Sequence, residues 1–278
     1  MVTQPKANMA IQGNDARGDV VPVIFIHGMG VDHRSLMLLD GVFPGSMRRI
    51  YLDLPGFGGT PALNGEGGLP EMADWLQSTI DDVIGGSGAF AMVGNSMGGA
   101  LAREILAREP KRVLGLALLA PVVDPRHAYR KVGEHVVADP NPKLIHALPQ
   151  EQVFDFVTMG VNQSYEAWRR YQRFILPGVR LCDREACARL GDRYFLTDVP
   201  ERMFGTFTGP TLIVTGREDQ IVGYEDQHAL IPHYPNAEFV VLENAGHNLY
   251  IDRPEETGRL VGDWADRIVE AAANLNAA

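Results

Sequence analysis

The chain has 278 residues, of which 45% are hydrophobic, and a formal net charge of −10 at pH 7. This length and hydrophobic content suit one α/β domain with an insertion, or two modest domains. The acidic balance, without any basic block, argues against nucleic-acid binding, and no apolar run is long enough to cross a bilayer.

Short apolar runs that end in turn residues predict the strands of the first part of the chain. Residues 20–26 form a β-branched run that ends in His27-Gly28, and residues 49–52 form a second one, followed by Asp53-Leu54-Pro55-Gly56-Phe57-Gly58. Residues 70–84 have helical spacing, with Gly85-Gly86 as a stop. Before these elements, residues 1–18 are predicted to be loosely structured, with at most one short strand near residues 8–12.

The most informative stretch is Gly94-Asn95-Ser96-Met97-Gly98-Gly99. An apolar run over residues 89–93 precedes it as a predicted strand, and residues 100–109 follow as a helix that Pro110 stops. Ser96 therefore lies on a sharp strand-to-helix turn, which is the context that makes G-x-S-x-G a nucleophile elbow. The flanking glycines allow close packing around a strained serine, and the helix amides favour negative charge. The stretch predicts covalent catalysis by an activated serine.

Later apolar runs continue the alternation of strands and helices. Residues 113–120, 211–215 and 238–242 are predicted strands, and a closing helix follows Pro254. This pattern predicts a mostly parallel central sheet with helices on both faces. We assign residues 1–120 and 209–278 to this α/β core.

Residues 121–208 break the alternation. Helical stretches are predicted at residues 151–159, 165–174 and 183–190, so we expect a helical cap, or lid, over the carboxyl ends of the strands. The alternative is that this stretch hides a further strand or two of the sheet. Its two cysteines, Cys182 and Cys187, fit neither a disulfide framework, a redox C-x-x-C pair nor a complete zinc site, so we expect reduced thiols.

Two further positions complete a catalytic pattern with Ser96. Asp219 follows the strand predicted at residues 211–215, and His247 follows the one at residues 238–242. The chain order Ser96, Asp219, His247, each after a separate strand, is the order of an α/β-hydrolase triad. Three other acids compete with Asp219 for the middle role, namely Glu218, Glu225 and Asp226.

A glycine-containing turn after the first predicted core strand, His27-Gly28-Met29-Gly30, lets the backbone approach a bound oxygen closely. We expect the amides of Met29 and Met97 to form an oxyanion hole. His27 is expected to be structural rather than a catalytic base.

Through these motifs the chain resembles the α/β-hydrolase family of serine hydrolases. In particular it resembles the small, lid-bearing enzymes of that family, which include esterases and meta-cleavage-product hydrolases. The resemblance implies Ser96 as nucleophile, His247 as base, Asp219 as its orienting acid, and no metal or organic cofactor. The serine at the elbow differs from the dehalogenase and epoxide-hydrolase branches, which carry Asp there. The family usually opens with an antiparallel hairpin, and few residues precede the first core strand here, so one outer strand is expected to be short or missing.

Three functions compete. The first is a carboxylesterase for small or medium esters; the second is a carbon–carbon hydrolase of the meta-cleavage-product type; the third is a ligand receptor that keeps the triad without turnover. Asn95 and the Met97-Gly98-Gly99 run are similar to the second group, whereas Asn248 after His247 departs from it. A cofactor-free haloperoxidase or an amidase would also fit.

Substrate selection is expected to lie with the cap. Gly28, Asn95 and Trp168 are candidate substrate contacts. Four arginines of the cap could bind a substrate carboxylate or, alternatively, form a solvated helix face, namely Arg169, Arg170, Arg173 and Arg180. The expected partner is a small-molecule substrate, with no nucleic acid and no membrane span, for a cytoplasmic monomer or homodimer. A secreted chain from which a signal peptide had been removed would look the same.

Overall fold

Seven strands form one sheet at the centre of the molecule. The computed structural model describes residues 4–13 and 20–277. In chain order the strands are Met9–Gln12 (β1), Val21–Ile26 (β2), Met47–Leu52 (β3), Phe90–Asn95 (β4), Val113–Leu119 (β5), Thr211–Gly216 (β6) and Ala237–Leu242 (β7). Every predicted apolar run is a strand, and the short strand expected near residues 8–12 is β1. Of the N-terminal stretch predicted to be loose, residues 1–3 and 14–18 lie outside the described residues.

The strands are ordered β1-β3-β2-β4-β5-β6-β7. β1 is antiparallel to β3, and every other neighbouring pair is parallel. The register places Ile26 beside Gly94 and Asn95 beside Leu119, so the carboxyl ends of β2, β4 and β5 meet at one edge of the sheet. The predicted mostly parallel sheet is therefore confirmed. Among the described residues, β1 is the one strand that precedes β2.

Helices lie between most of the strands. In chain order the α-helices are Arg34–Met37 (α1), Leu69–Ile84 (α2), Met97–Arg108 (α3), Pro142–Ala147 (α4), Gln150–Met159 (α5), Tyr165–Phe174 (α6), Leu176–Leu181 (α7), Arg184–Asp192 (α8), Pro200–Phe204 (α9), Glu225–His228 (α10), Leu249–Asp252 (α11) and Pro254–Ala277 (α12). Short 3₁₀ turns occur at Asp40–Val42, His127–Tyr129 and Ile231–His233. None of the described helices combines the length and the apolar character that a membrane span requires.

Each face of the sheet has its own apolar core, because successive side chains of a strand point to opposite sides. On one side Ile24 of β2 packs in a cluster with Trp75 of α2 and Leu101 of α3. On the other side Phe25, the next residue of β2, belongs to a cluster that contains Trp264 of α12. The continuous apolar character of the central strands follows from this double coverage.

Residues 121–208, which we call the helical segment, contain α4 to α9. The sheet receives no strand from this stretch, all of which lies within the described residues. Three of its aromatic rings, Phe156, Trp168 and Tyr171, pack on one another with centroids 5.1 to 5.7 Å apart. A fully buried ion pair, with Arg103 Nε 2.6 Å from Glu201 Oε1, ties the end of the segment to α3. The three rings belong to the same apolar cluster as Phe25 and Trp264, so the segment shares the core on that face of the sheet and has a charged anchor to α3 as well.

Candidate active site

The site lies at the point where the strand order reverses. From β2 the chain steps outward to β3, whereas β4 lies on the opposite side of β2. The loops after β2 and β4 therefore diverge and leave a crevice at the carboxyl ends of the strands, where open α/β sheets bind ligands. Gly28 follows β2 and Ser96 follows β4. A Cβ on Gly28 would lie 3.1 Å from Ser96 Cβ and 3.0 Å from Asn95 Oδ1, so the absence of a side chain lets the two loops meet.

Ser96 occupies a strained turn between β4 and α3. Its φ of 53° and ψ of −117° lie outside the regions that side chains prefer, a conformation that costs on the order of 1–3 kcal/mol. Its backbone is held from both ends, because its N–H donates to the Leu119 carbonyl (3.0 Å) and its carbonyl accepts from Val122 (3.0 Å). A Cβ on Gly94 would lie 2.5 Å from the Gly98 carbonyl oxygen, and a Cβ on Gly98 would overlap the carbonyl oxygen of Ile26 in β2, which explains the glycines on both sides of the turn.

Three buried side chains form a hydrogen-bonded chain in this crevice. His247 Nε2 lies 2.9 Å from Ser96 Oγ, and His247 Nδ1 lies 2.9 Å from Asp219 Oδ2. Asp219 is 2% exposed, and Ser96 and His247 are each 7% exposed. The three residues that the sequence predicts as a triad are thus brought together from the ends of β4, β6 and β7.

The carboxylate of Asp219 is fixed by backbone donors as well as by His247. Its Oδ1 accepts from the N–H groups of Ile221 (2.8 Å) and Val222 (2.9 Å), which leaves Oδ2 for the imidazole. Because both oxygens are engaged, the carboxylate holds the imidazole in one orientation.

The three competing acids lie elsewhere. Glu218 accepts from the backbone N–H of Ala245 at 3.0 Å and so supports the loop that carries His247. Glu225 is exposed and lies 3.8 Å from Lys131 Nζ, and Asp226 accepts from the Lys131 N–H. Of the four acids, Asp219 is the one hydrogen-bonded to His247.

His27 is buried beside the site and bonded to its loops. Its Nδ1 lies 2.7 Å from the Gly28 carbonyl oxygen, and the Leu54 N–H donates to its Nε2 at 3.0 Å. Burial lowers the pKa of His27, so the neutral ring donates through Nδ1 and accepts through Nε2. The ring joins the loops after β2 and β3 and has no hydrogen bond to Ser96.

Asp252 is a supporting residue that the sequence analysis did not identify. One of its carboxylate oxygens accepts from the Gly246 N–H (2.9 Å), next to His247, and the other accepts from the Asn162 N–H (3.0 Å) in the helical segment. Burial raises its pKa to about 6, against the opposing effect of these hydrogen bonds. An acid inside a four-residue helix carries no motif, so no sequence signal distinguished it from a surface residue.

A cavity of about 370 Å³ opens at Ser96 and His247. Its wall combines the loops after β2 and β4 with the helical segment: Gly28, Met29, Gly30, Val31, Asn95, Ser96, Asp155, Met159, Tyr171, Ile175, Val179, Cys182, Arg184, His247, Asn248 and Tyr250. The volume is at the lower end of the range of roughly 300–1,000 Å³ that small-molecule sites span.

The cavity wall includes some of the candidate substrate contacts and not others. Gly28 and Asn95 line it, whereas Trp168 does not; its ring is buried in the apolar core and stacks against Tyr171, with centroids 5.7 Å apart. None of the four candidate arginines lines it. Arg170, for example, donates to the Ile251 carbonyl instead. The arginine at the cavity is Arg184, at the start of α8, which the sequence analysis did not single out.

The two candidate oxyanion amides belong to residues that follow β2 and β4, the strands whose loops form the crevice. Met29 lines the cavity, directly after Gly28. Met97 is the first residue of α3, and the first amides of a helix have no intrahelical acceptor. The positive end of the α3 dipole therefore faces the position next to Ser96.

One group among the described residues has metal-ligand chemistry, namely Asp32, His33 and Asp53. Asp53 accepts from Asn8 Nδ2, His33 Nδ1 and the Gly59 N–H, and Asp32 pairs with Arg34. Burial would raise the pKa of Asp53, but these hydrogen bonds outweigh it and hold the pKa well below its ordinary value. The oxygens already have protein donors, so we assign the group to the support of the loop after β3.

Comparison with known proteins now identifies the family. Residues 23–260 match the model of the alpha/beta hydrolase family, so the chain belongs to that family and is a hydrolase. The monoacylglycerol lipase ABHD6 of Rattus norvegicus is 25% identical over 264 residues, which cover 87% of this chain and 74% of the lipase. An alpha/beta superfamily hydrolase from Oenococcus oeni PSU-1, known from its crystal structure, is 31% identical with a TM-score of 0.84, over 96% of this chain and 99% of that chain.

A third relative is the dihydrolipoyllysine-residue acetyltransferase component of the acetoin cleaving system of Cupriavidus necator. It is 28% identical over 249 residues, which cover 88% of this chain. The chain spans 63% of that relative's length.

Proposed function

We propose that this hydrolase cleaves carboxylic esters of small or medium size, with Ser96 as nucleophile, His247 as general base and Asp219 as the acid that orients His247. The observation that supports this most directly is the relay of two 2.9 Å hydrogen bonds that joins the three residues at the wall of one cavity. The lipase among the relatives agrees with ester chemistry.

In this mechanism the serine hydroxyl becomes reactive when a base removes its proton. His247 Nε2 takes the proton of Ser96 Oγ as the oxygen attacks the ester carbonyl carbon. The same nitrogen then protonates the leaving alcohol, and water hydrolyses the acyl-enzyme by the same route. Asp219 keeps the proton of the neutral ring on Nδ1 and offsets the positive charge of the imidazolium without accepting its proton.

The negative charge that develops on the substrate oxygen needs donors that are already in place. We propose the backbone N–H groups of Met29 and Met97 for this role. Loss of one donor of this kind in other serine hydrolases costs roughly 3–4 kcal/mol in the barrier. The dipole of α3 adds a favourable field at the same position.

We also propose that residues 121–208 act as a cap that selects the substrate. Apolar side chains of this segment, among them Met159, Ile175 and Val179, line the same cavity as Ser96. An apolar wall on the cap side and polar groups on the core side would orient an ester with its carbonyl toward Ser96. None of the four candidate arginines lines the cavity, so the carboxylate of a substrate for carbon–carbon cleavage would have to pair with Arg184 instead.

The test is turnover by the purified protein on two kinds of substrate. One arm is a series of p-nitrophenyl esters of increasing acyl length, the other a vinylogous diketone acid of the ring-cleavage type, and Ser96→Ala is the control in both. We expect turnover of short and medium esters that is lost by a factor of at least about 10³ in Ser96→Ala, with unchanged folding. Near wild-type turnover by Ser96→Ala, or preferred cleavage of the diketone, would contradict the proposal.

A further inference from the structure

The two cysteines of the chain meet where α7 ends and α8 begins. Cys182 directly follows α7, and Cys187 lies within the first half of α8. Both are free thiols, and their Sγ atoms are 2.7 Å apart, in hydrogen-bonding contact. Because the sulfurs of a disulfide are about 2.05 Å apart, these two would need to approach by less than ~1 Å to form a bond.

The start of α8 brings the two sulfurs together. Asp183 caps the helix, since its carboxylate accepts from the N–H groups of Glu185 and Ala186 at 3.0 Å each. Cys182 therefore precedes the cap and Cys187 is the fourth residue of the helix, two positions whose side chains pack on each other across a helix start. The Cys187 N–H donates to the Asp183 carbonyl at 2.9 Å, so the backbone between the two cysteines is fixed.

The core holds this junction independently of the sulfur contact. The Asp183 N–H donates to the Gly56 carbonyl at 2.9 Å, in the loop after β3. A Cβ on Gly56 would lie 2.8 Å from Ala186 Cβ, so the absence of a side chain there lets α8 pack directly on that loop. Substitution of either cysteine by serine should therefore leave the junction in place.

The pair is open to small reagents. Both cysteines are partly exposed, and Cys182 belongs to the wall of the cavity that contains Ser96. Structural cysteines that are fully buried are chemically inert, whereas partly exposed ones near a positive charge react with oxidants. Arg184 provides such a charge on the same wall.

The surroundings of the two thiols give them different reactivities. The hydrogen bond from Cys187 and, to a smaller extent, the charge of Arg184 lower the pKa of Cys182, against the effects of burial and of Asp183. The same hydrogen bond, together with burial, raises the pKa of Cys187. Since the thiolate is the nucleophile, Cys182 is the sulfur that attacks and Cys187 the one that follows.

We propose that Cys182 and Cys187 are a redox modification site, at which a hydroperoxide converts the two thiols into a reversible disulfide at the wall of the cavity. The Cys182 thiolate attacks one peroxide oxygen, the O–O bond breaks, and the other oxygen leaves as water or an alcohol after taking up a proton. The Cys187 sulfur then attacks the sulfenic acid on Cys182, the S–S bond forms and water leaves. The thiols lose two electrons to the peroxide, and a dithiol reductant restores them.

The second thiol also protects the first. A sulfenic acid that meets more peroxide becomes a sulfinic acid, which is not reversed by thiols. With Cys187 Sγ 2.7 Å away, the sulfenic acid on Cys182 is converted to the disulfide first. This modification does not depend on ester hydrolysis, and its test needs no turnover.

The test is mass spectrometry of the intact protein. The wild type is reduced with dithiothreitol, freed of it, and treated with hydrogen peroxide and then with iodoacetamide. We expect a species that has lost two hydrogens and takes up no iodoacetamide, and that regains two alkylatable thiols after renewed reduction. Because trypsin cleaves after Arg184, between the two cysteines, digestion should yield two linked peptides. A protein that keeps both thiols, or forms disulfides only between chains, would overturn the inference.

Two single variants test the assigned roles, and each is the matched control of the other. In Cys187→Ser, which keeps a hydrogen-bond donor toward Cys182, we expect a sulfenic acid that dimedone traps and that becomes a sulfinic acid as the peroxide dose rises. In Cys182→Ser we expect Cys187 to remain an alkylatable thiol at the same dose, because its pKa is raised. Equal oxidation of the two variants would contradict the proposed attack by Cys182.

Equilibrium with glutathione shows whether the fold positions the pair. The ratio of disulfide to dithiol in a glutathione redox buffer gives the effective concentration of one thiol toward the other. We expect this concentration to be at least about tenfold higher in the folded protein than in the urea-unfolded chain, and the disulfide to raise Tm accordingly. Equal values in the two states would show that closeness along the chain alone brings the thiols together, and would overturn the inference.

Discussion

At the scale of single residues, the site depends on two residues that the fold holds in unfavourable states, one with a strained backbone and one with a buried carboxyl group. Ser96 is held at a φ of 53° by hydrogen bonds on both its backbone N–H and its carbonyl, and Asp252 is an acid buried in the protein interior. Features of this kind persist because the surrounding fold determines them. Each makes a specific contribution that a single substitution can measure.

The role proposed for Asp219 predicts the effect of an isosteric substitution. Asp219→Asn can keep an acceptor toward the Ile221 and Val222 N–H groups, so we expect an intact fold. Its amide can donate to His247 Nδ1 and thereby stabilise the wrong tautomer, with an expected loss of about 10⁴-fold in kcat. Steady-state kinetics on a p-nitrophenyl ester measure the loss, and Glu225→Gln, an exposed acid of the same region, is the matched control. Equal activities of the two variants would exclude Asp219 from this role.

Asp252 predicts a dependence of stability on pH. Its pKa of about 6 in the folded protein is above the value of about 3.9 in an unfolded chain, so the folded state binds the proton more tightly. The stabilisation that results is fully present below pH ~4 and is lost as the pH rises through ~6, by up to roughly 3 kcal/mol. Urea unfolding of the wild type and Asp252→Asn between pH 4 and 7 should show the wild type losing stability relative to the variant. A difference that stays constant over this range would contradict the assignment.

At the scale of elements, the strands and the elbow were predictable because they carry short-range signals. The apolar runs that became β2 to β7 have the continuous hydrophobicity of strands covered on both faces, and Gly94 to Gly99 encode their own turn. The short helices α4, α7 and α9 were not predicted, since five or six residues give too little periodicity to detect. The residues alone did not predict the strand order either, because nothing in β1 or β3 indicates which strand each will pair with.

The anchor between α3 and α9 gives a prediction at this scale. Arg103 and Glu201 are each 2% exposed or less in a bidentate pair, and Tyr234 also donates to Glu201. Glu201→Gln would leave the guanidinium charge buried without a counter-charge, so we expect a loss of about 3–5 kcal/mol in the free energy of unfolding. Urea denaturation measures it.

An exposed acid just before α9 is the control for this prediction. Asp198→Asn removes a charge 3.9 Å from Arg202, and we expect a change of less than about 0.5 kcal/mol. Similar effects of the two substitutions would show that the buried pair is not an anchor. Arg103→Met combined with Glu201→Gln should recover part of the loss, because it removes the uncompensated charge.

At the scale of the whole molecule, the site exists because distant segments converge at one edge of the sheet. Ser96, Asp219 and His247 were identifiable in the sequence, since each follows its own predicted strand in a known order. The composition of the cavity was not, because residues such as Ile175, Val179 and Arg184 reach it through packing of the helical segment against the core, and no motif marks them. The sequence therefore predicts the chemistry better than the substrate, whose selection depends on tertiary contacts.

The central claim is that Ser96 is the activated nucleophile, and covalent labelling tests it most directly. The protein is treated with an organophosphorus fluoridate, and the adduct is located by mass spectrometry of the intact chain and of its peptides. We expect one adduct per chain, on the peptide that contains Ser96, formed in parallel with the loss of esterase activity and absent from Ser96→Ala. An adduct on another residue, or equal labelling of Ser96→Ala, would contradict the account.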